Sequence, residues 1–119
     1  MTQANGQDGK PDLGRDERTL GGRQVALDRE GFFLDFQDWS AESAAELARE
    51  SAALELGPDH WKVIEFLREF YAYNARAPLN AQLKKGTGLS LLQLEELFPQ
   101  GIKLGARRLA GLPNPKTCE

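Results

Sequence analysis

Cys118 is the single cysteine of this 119-residue chain, next to the last residue of the sequence. A thiolate is a nucleophile, and a thiol near a chain end is accessible by default, which suits a group handed from one active site to another. A free cysteine titrates near ~8.5, and nearby cations lower that value. Lys116 helps slightly and Glu119 opposes it. Arg107 and Arg108 are the stronger candidates, because an arm folded back towards them would set guanidinium charge beside the sulfur. An incidental thiol is the alternative reading of the same residues.

Other chemistry finds less support. His60 is the single histidine and lies far from Cys118 in sequence, so the two make neither a metal-ligand set nor a held catalytic pair. His60 is expected to cap or pack at the start of a helix. No metal and no cofactor are expected. Gly86-Thr87-Gly88 precedes no strand–helix unit and is not a phosphate loop. The acids are spread along polar faces, without the apolar setting that marks a general acid. Short helices with Gly-rich turns could hold a DNA-binding helix-turn-helix. The sequence pI near 5.2 and the lack of a dense basic stripe leave nucleic-acid binding as the minority reading.

The elements that must position the thiol are read from patterning. Residues 1–22 lack periodicity and are read as a disordered leader. Arg23 to Phe36 reads as a β-hairpin: a strand Gln24–Leu27, a turn Asp28-Arg29-Glu30-Gly31, and a return strand Phe32–Phe36. Ser40 is placed to cap a first helix running to about Leu54, with Ala44, Leu47, Ala48 and Ser51 on its apolar stripe. Pro58 opens a central helix whose Val63, Ile64, Leu67, Phe70 and Tyr71 recur on one face, flanked by Trp61, Phe66 and Tyr73. A short helix Leu79–Lys85 is expected to break at Gly86-Thr87-Gly88. Ser90 caps another helix, Leu91–Phe98, and Pro99-Gln100-Gly101 is a turn. The last helix, Ile102–Ala110, should turn Ile102, Leu104, Ala106 and Leu109 inward and leave Arg107 and Arg108 partly exposed. Gly111 suits a left-handed stop, and Pro113 and Pro115 bias the chain end towards extended backbone.

Length and composition fit one small domain with a modest core. A single cysteine forms no intrachain disulfide, so a reducing cytoplasm is the simpler home. No apolar run is long enough to cross a bilayer, and residues 1–22 are neither a signal nor a transit peptide. The net charge of −3 hides an asymmetry. Residues 28–59 carry nine acids and two bases, whereas residues 60–119 carry nine bases and five acids. That distribution suits docking by charge matching, with two solvated faces as the bland alternative.

The run Arg108-Leu109-Ala110-Gly111-Leu112-Pro113-Asn114-Pro115 with Cys118 beyond it resembles the C-terminal signature of the DsrC/DsvC/TusE family of sulfur-relay proteins. The resemblance extends upstream through Asp28-Arg29-Glu30-Gly31-Phe32, Asp38-Trp39-Ser40, the Pro58–Tyr71 segment, Ala77-Pro78 and Leu97-Phe98-Pro99-Gln100-Gly101. It covers about residues 23–119. It implies an α+β, mainly α fold: a small helical bundle with an N-terminal β-hairpin and a flexible C-terminal arm. The implied layout is a leader at 1–22, a DsrC/TusE-like domain at 23–111 and a mobile arm at 112–119 carrying Cys118.

The resemblance also implies a job for Cys118, which would accept sulfane sulfur as a persulfide and pass it on as a sulfurtransferase-type carrier. Implied partners are a sulfur-donor complex of the TusBCD/DsrEFH type and an accepting enzyme such as a tRNA thiouridylase. The dissimilatory members that work with sulfite reductase carry a second cysteine where Arg107 stands, so their disulfide chemistry is closed to this chain. The one-thiol TusE-type members, which relay sulfur towards 2-thiouridine in tRNA, match the cysteine count. Ala81 stands where members commonly carry arginine, and Ile102 where they carry proline, which suggests an altered docking surface. The alternative is a paralogue acting as a regulatory or DNA-binding module, or in a dissimilatory sulfur pathway.

Overall fold

A computed structural model describes residues 16–114. Two antiparallel strands, β1 (Asp16–Leu20) and β2 (Arg23–Leu27), are followed by a 3-10 turn at Phe36–Asp38. Four α-helices come next: α1 (Ala41–Ala52), α2 (Pro58–Asn74), α3 (Asn80–Thr87) and α4 (Leu91–Leu97). A π-helical stretch, Ile102–Arg107, closes the described chain.

The expected hairpin is present but begins one strand earlier. Asp16 pairs with Leu27 and Leu20 with Arg23, around a tight turn at Gly21-Gly22. Both glycines have positive φ, as two-residue hairpin turns require. Residues 16–22, expected in the leader, therefore belong to the sheet, whereas residues 1–15 lie outside the described residues. The strand is polar because one side faces solvent; only Leu20 is fully buried. It is held instead on α1, where the Gly21 amide donates to Glu46 Oε1 at 2.7 Å and Arg18 pairs with Glu50. The expected return strand Phe32–Phe36 reduces to one bridge, Leu27 to Phe33, and Phe36 enters the 3-10 turn. Phe32 and Phe33 are nevertheless buried.

The helices start where their caps predict. Ser40 Oγ accepts from the Ser43 amide and Ser43 Oγ accepts from the Ser40 amide, closing a reciprocal cap on α1. Ala44, Leu47 and Ala48 are buried as the narrow stripe demands. In α2, Val63, Ile64 and Leu67 form the centre of the core, while Tyr73 is 92% exposed rather than flanking it. The α3 helix runs through Gly86 and stops at Gly88, which takes the left-handed φ of 75°. The position takes glycine because the Phe66 ring lies where a Cβ would be, 2.2 Å from Cε1.

The last helix departs most from expectation. π-helical winding rotates the residues relative to a 3.6-residue turn, so Gly105 and Ala106 face inward and Leu104 is 42% exposed. Arg108, expected to be partly exposed, is only 7% exposed. Among the described residues no helix is long and apolar enough to cross a membrane.

Candidate functional site at the root of the C-terminal arm

Cys118 lies outside the described residues, but the ground it departs from is defined. The helix ends in a Schellman turn. The Gly111 amide donates to Arg108 O at 3.1 Å and the Leu112 amide to Arg107 O at 3.2 Å. Gly111 has φ 78°, and a Cβ there would sit 2.7 Å from Trp39 Cδ1, so both backbone and packing demand glycine. Leu112 is 1% exposed, which places the anchor of the arm inside the core. The segment expected to be free from residue 112 is therefore fixed at its first residue.

Two side chains hold the remaining helix-end carbonyls. Trp39 Nε1 donates to Leu109 O at 2.7 Å, and Arg68 Nη1 donates to Ala110 O at 2.9 Å. Arg68 also donates to Phe36 O at 3.3 Å. Its guanidinium stacks 3.9 Å from the Phe36 ring centroid and 4.2 Å from that of Trp39. Desolvation by burial lowers the Arg68 pKa to about 10, which still leaves it charged at neutral pH. Composition drew no attention to Arg68. Its spacing could have, since it falls four residues after Ile64 and three before Tyr71, beside the buried face of α2.

Farther along, Asn114 Nδ2 donates to Asp28 Oδ2 at 2.9 Å and to Glu30 Oε1 at 2.6 Å. The acceptor is itself rigid. Asp28 Oδ1 accepts from the Glu30 and Phe32 amides, each at 2.9 Å, and the Gly31 amide donates to Asp28 O at 3.0 Å. The predicted Asp28–Gly31 turn thus serves as a latch for the arm.

The two arginines diverge. Arg108 Nε donates to Leu104 O at 2.6 Å and its Nη2 to Gln100 Oε1 at 2.7 Å. Its Nη1 fills the space beside Gly31. Burial lowers its pKa, and the Asp28 charge partly opposes that. Arg107 turns towards α3, donating from Nη2 to Pro78 O at 3.3 Å, and its Nε is buried without a partner among the described residues. Burial lowers the pKa of Arg107 as well. Arg107 lines a groove of about 300 Å³ with Tyr71, Arg76, Leu112 and Asn114.

His60 has the structural role expected of it. Its Nδ1 accepts from the Gly57 amide at 3.0 Å, so Nε2 carries the proton and donates to Leu97 O at 2.8 Å. It ties the start of α2 to the end of α4.

A sequence model of DsrC-like proteins matches residues 19–119. The chain belongs to the DsrC-like family. It is 39% identical over 102 residues to the dissimilatory-type sulfite reductase subunit gamma of Nitratidesulfovibrio vulgaris, covering 86% of this chain and 97% of that protein. It is 32% identical over 104 residues to the sulfurtransferase TusE of Escherichia coli K12, covering 82% of this chain and 94% of that one. The DsrC fold is shared as well. The crystal structure of dissimilatory sulfite reductase I has a chain that superposes with a TM-score of 0.80 at 36% identity, over 87% of this chain and all of that one. The oxidised gamma subunit, DsrC, of Archaeoglobus fulgidus gives 0.77 at 34% identity, again over 87% of this chain and 100% of that chain.

Proposed function

We propose that this DsrC-like protein is a sulfur-relay carrier and that Cys118 takes up sulfane sulfur as a persulfide and hands it on. The Cys118 thiolate attacks the outer sulfur of a donor's persulfide. A new S–S bond forms on Cys118, the donor's S–S bond breaks, and the donor cysteine leaves as a thiolate with that electron pair. Delivery repeats the exchange on the acceptor, with no external oxidant or reductant. The observation that carries the reading is the family match through residue 119, which takes in the sole thiol, on a body that anchors its arm at Leu112. Sulfurtransferases among the relatives support it and speak for a carrier over a regulatory or DNA-binding module. The lone thiol suits a reducing cytoplasm.

For partners we infer a donor complex of the TusBCD/DsrEFH type and, as acceptor, a thiouridylase that makes 2-thiouridine in tRNA. Of the two arginines, Arg107 is assigned to the electrostatics of the sulfur and Arg108 to the folding of the turn.

The test of the carrier is intact mass after incubation with a persulfide donor. The native protein is expected to gain one sulfur and Cys118→Ser none. No gain on the native chain, or an equal gain on the variant, sinks the proposal. Trapping a mixed disulfide on Cys118 identifies the acceptor. Capture of a sulfite-reductase complex in place of a thiouridylase would change the destination but not the carrier.

A further inference from the structure

We propose that an aromatic notch on α2, walled by Phe66, Phe70 and Tyr73 around Glu69, is a docking site for an arginine side chain of a partner protein. None of these residues belongs to the root of the arm, and the proposal stands apart from the relay reading.

The notch follows from the spacing along α2. Val63, Ile64 and Leu67 fill the core, whereas Phe66, Glu69, Phe70 and Tyr73 recur at i, i+3, i+4 and i+7 on another face. Four residues so spaced make the hole that a side chain of a facing element enters. The space between them measures about 530 Å³, and every residue that lines it comes from α2 itself. Tyr73 stands exposed at its rim.

The lining selects a cation. Glu69 is the one charged side chain in it, and no ion pair involves Glu69 among the described residues. Glu65, one turn earlier on the same flank, adds negative charge. Lys62 opposes this attraction, but from two turns away. In addition, α2 has no basic residue in its last turn, so the negative end of the helix is unmet there. The rings agree with the carboxylate. Phe66 and Phe70 have centroids 5.9 Å apart and planes tilted by 44°, so a cation between them lies within the roughly 6 Å over which a ring face attracts it. Phe70 already receives one guanidinium, that of Arg76 at 5.3 Å from its centroid. Arg76 does not line the notch and leaves Glu69 unpaired.

An arginine meets all of these features at once. Its planar head stacks on rings and forks onto a carboxylate, and its stem packs on apolar surface. An aliphatic side chain would leave Glu69 facing an apolar group. One such side chain gives a reversible hold rather than a permanent complex.

The test is an NMR titration of the full chain with an alanine-based helical peptide that carries two arginines one turn apart. Matched peptides carry leucines or lysines at those places. The arginine peptide is expected to move the Phe66, Phe70 and Tyr73 ring resonances and the Glu69 amide saturably, more tightly than the lysine peptide, and the leucine peptide to leave them in place. Glu69→Gln and Tyr73→Ala should each weaken the arginine peptide about three- to fivefold. Both side chains are exposed, so neither variant threatens the fold. Raised ionic strength should weaken binding as well. No saturable shift at the notch, equal or tighter binding of the leucine or lysine peptide, or indifference to both substitutions overturns the proposal.

Discussion

Adjacent arginines at 107 and 108 illustrate how one residue of offset decides a role. Arg108 spends its donors on Leu104 O and Gln100 and is buried against Gly31. Arg107 lines the groove, and its buried Nε has no partner among the described residues. Their shared charge was legible in the sequence; their divergence depends on π-helical winding, which no local pattern announced. Gly111, by contrast, was fully legible as a left-handed stop. Gly111→Ala is expected to lower stability by roughly 1–3 kcal/mol through backbone strain alone, with more lost if Trp39 must shift. Urea unfolding monitored by fluorescence measures it, and a loss under about 0.5 kcal/mol would refute the strain. Arg68→Leu should cost roughly 2–3 kcal/mol, because it strips donors from Ala110 O and Phe36 O together. Arg68→Lys should recover only part of that, since one ammonium cannot reproduce the planar fork.

At the level of elements, the helices were readable from caps and periodicity, and the sheet was misread by one strand. Ser40, Pro58 and Ser90 all stand at helix starts as expected. The strand β1 escaped because Asp16-Glu17-Arg18-Thr19 shows no apolar alternation; its stability comes from pairing with β2 and from bonds to α1. Leu20→Ala separates the two readings. In a leader it would be silent, whereas here a fully buried side chain is lost, and roughly 2–4 kcal/mol should go with it in chemical denaturation. His60 joins α2 to α4 through both ring nitrogens, so His60→Phe should destabilise despite keeping a ring of similar size. About 1–3 kcal/mol is expected, as the Gly57 amide and Leu97 O lose their partners.

Across the whole molecule, the charge asymmetry of the sequence acquires a geometry. The arm leaves between an acidic turn, Asp28 and Glu30, and a basic groove, Arg76 and Arg107. On the proposed relay, a partner meeting this seam would face both signs at once, so transfer rates should fall as ionic strength is raised past physiological values, where the Debye length is about 8 Å. A stopped-flow salt series with a donor would show it; a flat series would mean that apolar contact governs docking. The seam was invisible in sequence because its two sides lie more than forty residues apart. The hydrogen bonds of Asn114 then set a plumb line. If Cys118 is the relay thiol proposed above, the four residue steps beyond Asn114 would give it a reach of roughly 14 Å while those bonds hold. On that proposal, a partner cysteine down a deeper shaft would be reached only by breaking both bonds, which frees two more residues and about 7 Å of chain beyond the Leu112 anchor. On the proposed relay, depth of the shaft, as much as complementarity at its mouth, would then decide which enzymes the carrier can serve.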